Sequence, residues 1–294
     1  MTNLILVGAG ASFGSDDDAL CPPLGNQLFN ALVARGGIAA CLPAEIQSKF
    51  RIRFEEGMDA FEEWGLGDVT RFQRELGVYL AGFRPGPNNV YIELLKGLRP
   101  ERVIFCSLNY DLLLEGAANA VGLGWNYASV YASGHLSILK IHGSSNFWPD
   151  VLKGIRGMKM WGSPIDLSAP VIAVRQDEAL RRGSEDDSFS PAIALYSVGK
   201  RVKMCPGFVA AQVQQWQEQV AQAERIAVVG TAVYDADEHI WGSLAKSSAS
   251  IHYFAATQGD KEAFLGWCEN VSRHDRCEMA NFKQAVPHLH RLMS

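Results

Sequence analysis

The chain predicts an α/β fold: a parallel sheet with helices on both faces. Two observations carry this. Short, wholly apolar runs recur along the sequence, and longer runs of helical length and pattern lie between them. A third makes it feasible: 48% of the 294 residues are hydrophobic, enough for a sizeable core in one domain spanning residues 1–294.

The first run, "NLILVG" (Asn3–Gly8), ends in glycine and reads as a buried parallel strand. "RVIFCSL" (Arg102–Leu108), "LSILKIH" (Leu136–His142), "PVIAV" (Pro170–Val174), "RIAVVG" (Arg225–Gly230) and "SIHYFAA" (Ser250–Ala256) read the same way. The helical runs are "LGNQLFNALVA" (Leu24–Ala34), "NNVYIELLKGL" (Asn88–Leu98), "DLLLEGAANAV" (Asp111–Val121), "FVAAQVQQWQEQVAQA" (Phe208–Ala223) and "DKEAFLGWCENV" (Asp260–Val271). From Glu45 to Phe83 the pattern is helical without a convincing strand, which predicts a helical module inserted over residues 45–84. "RRGSEDDSF" (Arg181–Phe189) is charged and small, and predicts a mobile loop.

Composition excludes several classes. A net charge of −5 with no block of Lys or Arg argues against nucleic-acid binding. No apolar run reaches the length of about eighteen residues that a membrane helix needs. The opening "MTNLILVGAG" has no basic leader and reads as a strand, not a signal peptide. The six cysteines are scattered, which fits a reduced cytoplasm better than a disulfide framework.

The chemistry gathers at the predicted strand ends, where open parallel sheets bind ligands. "LILVGAGASFG" places Gly8, Ala9, Gly10 and Ser12 after the first strand, where bare backbone N–H groups suit a pyrophosphate. Pro22 and Pro23 and the run Asp16–Asp18 follow, so the glycines are expected to open a long loop, with the aspartates facing solvent and the helix starting near Leu24. Phe13–Pro22, anchored at both ends, is expected to close over a ligand as a lid. The acid that a dehydrogenase places about twenty positions on is absent. "RVIFCSL" delivers Asn109 and Asp111 on either side of Tyr110; "LSILKIH" delivers His142, then Gly143 and Ser144; "RIAVVG" delivers Gly230 and Thr231. Taken singly, Asp111 is equally a helix N-cap, Asn109 a turn residue and His142 a satisfied strand-end histidine. Their convergence on one edge favours a site.

Other features read as structural. "HLH" (His288–His290) near Cys277 is expected to be a surface tail and not a metal site. Asp59, Glu62 and Glu63 form a solvated helix face. The glutamines of Phe208–Ala223 face solvent, Asp237 or Asp235 opens the helix after "RIAVVG", and Trp148 is either core or cleft wall.

"GAGAS", Pro23 before a helix, "LNYD", "KIHGSSNFW" and "VVGTAVYDADEHI" follow one another, between Leu4 and about Ile240, in the order seen in the SIR2-like family. The chain resembles the bacterial branch that carries an N-Y-D motif and a [K/L]-x-H-G-S motif. The resemblance implies a Rossmann-type domain with a smaller helical module and NAD⁺ between them as substrate, attacked at C1′ of the nicotinamide ribose. On this resemblance Gly8, Ala9, Gly10 and Ser12 bind the phosphates; from their place at the same predicted edge, Gly143, Ser144, Gly230 and Thr231 are expected to bind the same nucleotide. Asp111 holds the nicotinamide carboxamide, Asn109 positions the ribose or a water, and His142 is the general base. The implied activity is NAD⁺ glycohydrolysis, commonly an antiphage defence that depletes NAD⁺. Control would come from self-assembly into a homo-oligomer or from a sensor partner. The rivals are a silent NAD⁺- or ADP-ribose-binding module and an NAD⁺-dependent deacylase. Two departures bear on them. Ser107 and Leu108 stand where the family has Thr or Gln before the Asn, and no C-x-x-C pair exists for the zinc of the deacylase branch.

Overall fold

A computed structural model describes residues 2–16, 21–64, 69–130, 133–151, 167–185, 188–194, 202, 204–234 and 237–294. The chain starts with β1 (Thr2–Val7) and a single turn, α1 (Ala9–Phe13). Five helices follow: α2 (Gly25–Ala34), α3 (Ile38–Cys41), α4 (Ala44–Ile52), α5 (Phe54–Trp64) and α6 (Val69–Ala81). Next come α7 (Val90–Gly97), β2 (Val103–Ser107), α8 (Leu113–Ala120), β3 (Gly124–Asn126) and β4 (His135–Lys140). After β5 (Phe147–Pro149), β6 (Val171–Ala173) and α9 (Gln176–Gly183), the chain continues through α10 (Pro206–Gln222), β7 (Ala223–Val229), α11 (Glu238–Lys246) and β8 (Ser250–Ala255). It closes with α12 (Gln258–Asn270), β9 (Arg276–Met279) and α13 (Phe282–Leu292).

Seven strands form one sheet in the order β3-β4-β2-β1-β7-β8-β9, every pair parallel. The expected fold class is therefore the observed one. Side-chain alternation along each strand sorts the core into two layers. Ile5, Val7, Val103 and Phe105 face one side, against α7, α8 and α13. Leu4, Leu6, Ile104 and Cys106 face the other, against α10, α11 and α12. Because both faces are covered, the central strands are apolar at nearly every position, which is why they were visible as unbroken runs. Each fully buried Leu, Ile, Val or Phe in them stabilises the fold by about 1.5–3 kcal/mol.

Helices α2 to α6 build a third core, in which Phe29 stacks on Phe50 at 4.3 Å and Phe61 and Phe72 pack edge to face at 5.5 Å. Tyr110, from the strand mouth, is buried in this cluster and donates its hydroxyl to Ala194 O at 2.6 Å.

Several expectations change. "PVIAV" is not a sheet strand: β6 pairs antiparallel with β5 in a separate hairpin, and Ile172 is 41% exposed. The glycines do not open directly into a loop. The chain turns helical at Ala9, and Gly14 N–H closes the turn on Gly10 O. Asp16 does not simply face solvent, since its carboxylate accepts from Gly86 N at 2.7 Å and Asn89 Nδ2 at 3.0 Å. Asp17 and Asp18, with the middle of the expected lid, lie outside the described residues. "RRGSEDDSF" begins as the last turn of α9, with Arg181 and Arg182 paired to Glu178 at 2.7 Å, and ends on a buried Phe189. His288–His290 is no tail: it belongs to α13, which packs Ala285, Val286 and Leu289 onto the sheet. The glutamines of α10 are not all solvated, since Gln212 is buried, accepting from Lys140 N and donating to Tyr127 O. Trp148 is core, with its Nε1 donating to Ser145 O. Among the described residues no helix is long and apolar enough to cross a membrane.

Candidate functional site

The strand order explains where a site belongs. From β1 the chain moves outward through β2 and β4; it then returns to place β7 on the other side of β1. Helix α1 leaves β1 toward the α7 layer, where Ala11 is buried, and α11 leaves β7 toward the α10 layer. The carboxyl ends of β1 and β7 thus form the topological switch point, where α/β sheets open a crevice.

At that point the backbone itself is tightly fitted. Gly8 N–H donates to Val229 O at 3.0 Å and Gly10 N–H to Gly230 O at 2.9 Å. A Cβ on Gly8 would sit 2.4 Å from Thr231 Oγ1, and one on Gly230, whose φ is +64°, would sit 2.0 Å from Ala11 N. These glycines are accounted for by the close approach of two strand ends. The Gly8 and Gly10 N–H groups, expected to cradle phosphates, already have carbonyl partners. Ala9 is exposed, Gly10 is half-buried, and Thr231 is buried beside them.

Asn109 lies 6% exposed where β2 ends, next to β1. Its Nδ2 donates to Gly8 O at 2.9 Å and Ser12 Oγ at 2.8 Å. Ser12 Oγ in turn meets Tyr91 Oη at 3.2 Å. Both amide hydrogens therefore hold the α1 turn, and what Asn109 has left to present is its carbonyl oxygen, an acceptor suited to a hydroxyl or a water. Burial, reinforced by the Asp111 carboxylate, pushes the Tyr91 phenol well above its ordinary range and keeps it neutral. Asp111, also buried, accepts from Leu113 N at 3.0 Å and braces the entry to α8. It is not the helix N-cap, a position that Leu112 holds without a side-chain cap.

Beneath Asn109 and Asp111 lies a charge that the sequence reading did not single out. Lys140, 1% exposed, donates to Asn109 O at 3.1 Å and Asp111 O at 2.7 Å, and pairs with the Glu115 carboxylate at 3.1 Å. Glu115, 3% exposed, also accepts from Tyr127 Oη at 2.9 Å, and Asn146 Nδ2 donates to that phenol at 2.9 Å. Burial, then the Glu115 charge, holds the Tyr127 phenol well above its ordinary range. Burial likewise raises the Cys106 thiol, against the pull of Lys140, so this cysteine is an inert part of the core. Two signals in the sequence could have exposed this floor. Lys140 is a lone charge inside an apolar strand, and Glu115 is a carboxylate in a helix with apolar residues on every side. Neither is affordable without a buried partner.

His142 follows β4 and is 6% exposed. Its Nε2 lies 2.9 Å from Nε2 of His239, in the first turn of α11. His239 follows the "RIAVVG" strand into the same edge, a position that could have marked it in the sequence. Gly143 has φ +83°, and a Cβ there would strike Ala192 O at 2.0 Å; Ser144 N donates to that carbonyl at 3.1 Å and its side chain is fully buried. Gly143 and Ser144 thus lock the end of β4 to residues 191–194. Leu108 turns its side chain into the α10–α12 layer.

The structure accordingly brings Gly8, Gly10, Ser12, Asn109, Gly230 and Thr231 into one group, and sets His142 with His239 in a second. Lys140, two residues before His142, ties the second strand end to the first. A cavity of about 480 Å³ opens elsewhere, between the α1 exit and α7, lined by Ser15, Asp16, Asn89, Glu93, Lys96 and Lys283. None of the expected site residues lines it, and the reactive groups sit at the strand edge. Among the described residues, no three His, Cys, Asp or Glu side chains form a set that could hold a metal ion. In comparisons with known proteins, the chain matches no family model and no curated protein.

Proposed function

We propose that the protein is an NAD⁺ glycohydrolase of the SIR2-like type, with NAD⁺ as substrate at the carboxyl edge of β1, β2, β4 and β7. The observation that carries this reading is the fixed polar cluster at the switch point. An amide carbonyl on Asn109 is locked by two hydrogen bonds onto the turn after β1, and a buried imidazole on His142 stands at the end of β4. The reaction needs little more. Nicotinamide leaves as a neutral molecule from a cationic ring, so no acid has to expel it. The C1′–N bond breaks with its electron pair going to the ring, a water oxygen bonds to C1′, and the water's proton goes to His142. The transition state carries oxocarbenium character, as in glycoside hydrolysis. An imidazole can take up and pass on a proton, which suits the transfer, and Asn109 Oδ1 orients the hydroxyl or water.

A second reading has its own support. The Asn109 amide hydrogens both serve the α1 turn, as they would in a binding module that holds NAD⁺ or ADP-ribose without cleaving it. Incubation of the pure protein with NAD⁺ and chromatography of the products separates the two. Free ADP-ribose and nicotinamide are expected, and His142→Ala should lower their formation by about 10² to 10⁴. Asn109→Ala should lower turnover with NAD⁺ binding retained. Binding without turnover by the wild type would leave the module. A role in defence and control by a partner or by self-assembly follow from the same reading and rest on the family resemblance, whereas residence in the cytoplasm rests on the scattered cysteines.

A further inference from the structure

We infer that His239 is the positioning and proton-carrying partner of His142, so that the two imidazoles act as one base; this deepens the hydrolase reading and rests on it. The geometry is specific. The two Nε2 atoms are 2.9 Å apart, and the rings are tilted by 56° with centroids 5.1 Å apart, an edge approach and not a stack. A neutral imidazole carries one N–H and one lone pair. At this distance one Nε2 must donate and the other accept, so the two rings hold opposite tautomers: one protonated at Nε2, the other at Nδ1.

His239 is itself held in place. Its backbone carbonyl accepts from Nε1 of the fully buried Trp216 at 3.2 Å and from Ser243 Oγ at 2.8 Å. The first turn of α11 therefore cannot drift without disturbing the α10 layer. The two rings also differ in access to water. His142 is buried, whereas His239 is half-exposed. The pair thus links a buried base to solvent.

The proton balance follows. One O–H bond of the attacking water breaks as its oxygen bonds to C1′ and nicotinamide leaves. The proton joins the pair, which then carries one positive charge shared across the Nε2–Nε2 contact. Two positive rings this close would repel, so the contact favours a single added proton shared by the pair. His239 returns that proton to bulk water, and the net reaction releases one proton with nicotinamide and ADP-ribose. Removing His239 takes away the Nε2–Nε2 contact and the half-exposed ring through which the proton leaves.

The test uses His239→Gln and His239→Ala in the full chain, each checked for an unchanged unfolding midpoint. Glutamine can hold a hydrogen bond to His142 but cannot carry a proton onward. Steady-state turnover of NAD⁺ should show kcat down by about 10² with KM within about twofold. Added imidazole should restore part of kcat in His239→Ala, and pyrrole, of similar size but without a basic nitrogen, should not. In nitrogen-15 spectra of histidine-labelled protein without substrate, the wild type should show the two opposite tautomers, and His239→Gln should alter the His142 signal. A His239→Gln enzyme with wild-type kcat and KM overturns the relay while leaving the hydrolase reading in place. Equal rescue by pyrrole reduces His239 to packing and overturns it as well. Loss of wild-type activity with a chelator, restored by zinc, would replace the shared proton with a metal. A wild type that releases no nicotinamide sinks the hydrolase reading itself, and the relay with it.

Discussion

Two halves of one sheet edge are built from different material. Where β1 meets β7, the fit is made of backbone: Gly8, Gly10 and Gly230 let two strand ends and the α1 turn approach until a methyl added at Gly8 or Gly230 would overlap main-chain atoms and one at Gly10 would press on Gly230. Where β2 meets β4, the fit is made of side chains: Lys140 and Glu115 form a buried ion pair, and Lys140 clamps the carbonyls of Asn109 and Asp111. The first half is specified by what is missing and tolerates no added atom. The second is specified by a buried pair of opposite charges and does not tolerate the removal of one without the other. The contrast predicts how each half fails.

The largest effect belongs to the ion pair. Lys140→Met leaves the Glu115 carboxylate buried without its cation, a change that costs about 3–5 kcal/mol when one partner of such a pair is removed. A denaturant melt should show this as a fall in midpoint with little change in slope. Replacing both charges, as Lys140→Met with Glu115→Leu, should recover most of the loss, because two apolar groups of similar volume need no partners. NAD⁺ turnover should stay low in the double variant, since the Asn109 and Asp111 carbonyls have lost their clamp. If the double variant is no more stable than Lys140→Met alone, the pair is not what holds this half together.

What could be read from the sequence divides along the same line. The central strands were visible because burial on both faces leaves few polar residues in them. Edge strands were not: β3 is the half-exposed triplet Gly124–Asn126, and β9 reads "RCEM", with charges on a strand that has only one neighbour. Glycines announce a close approach, although they do not say whether the neighbour is a ligand or the protein's own β7. Asn109, Asp111 and His142 were placed at the edge by counting from strand ends. Their partners were not, because contacts such as His142 to His239, 97 residues apart, depend on strand order, which local pattern does not contain. Lys140 opens the "KIHGSSNFW" motif, yet a lysine in a strand gives no hint of which carboxylate it will meet.

A smaller effect is expected in the glycine half. Gly230→Ala places a side chain in a left-handed conformation, which costs about 1–3 kcal/mol; the upper end of that range applies, because the new methyl meets the Ala11 backbone. Unlike the ion pair, this loss should have no rescuing partner substitution. Compensation would need the α1 turn to shift, and that turn is held by Asn109. Unfolding by denaturant, measured for Gly230→Ala alone and with Ala11→Gly, checks this. Recovery of wild-type stability in the second variant would mean that the clash is with a removable side chain and that the backbone fit has been overstated.

The smallest effect falls on the seam between the halves. Ser12 belongs to the α1 turn, yet its hydroxyl accepts from Asn109 Nδ2 at 2.8 Å and meets Tyr91 Oη at 3.2 Å. Ser12→Ala removes that bridge without adding volume or charge. Asn109 Nδ2 then loses an acceptor and Tyr91 Oη a partner, but the Tyr91 phenol oxygen is near enough to accept the freed amide hydrogen. The expected cost is about 1 kcal/mol, the net value of one internal hydrogen bond, and not the larger penalty of an unsatisfied group. Function should suffer more than stability. With one of its two anchors gone, the Asn109 amide can swing toward Tyr91, and its carbonyl no longer points in one direction. Turnover of NAD⁺ should therefore drop several-fold while NAD⁺ binding, measured by calorimetry, stays within about twofold, as expected when a loss falls on the transition state and not on the ground state. If Ser12→Ala weakens binding and turnover by the same factor, Ser12 is a ligand contact in its own right, and the Asn109 anchor is not how the two halves communicate.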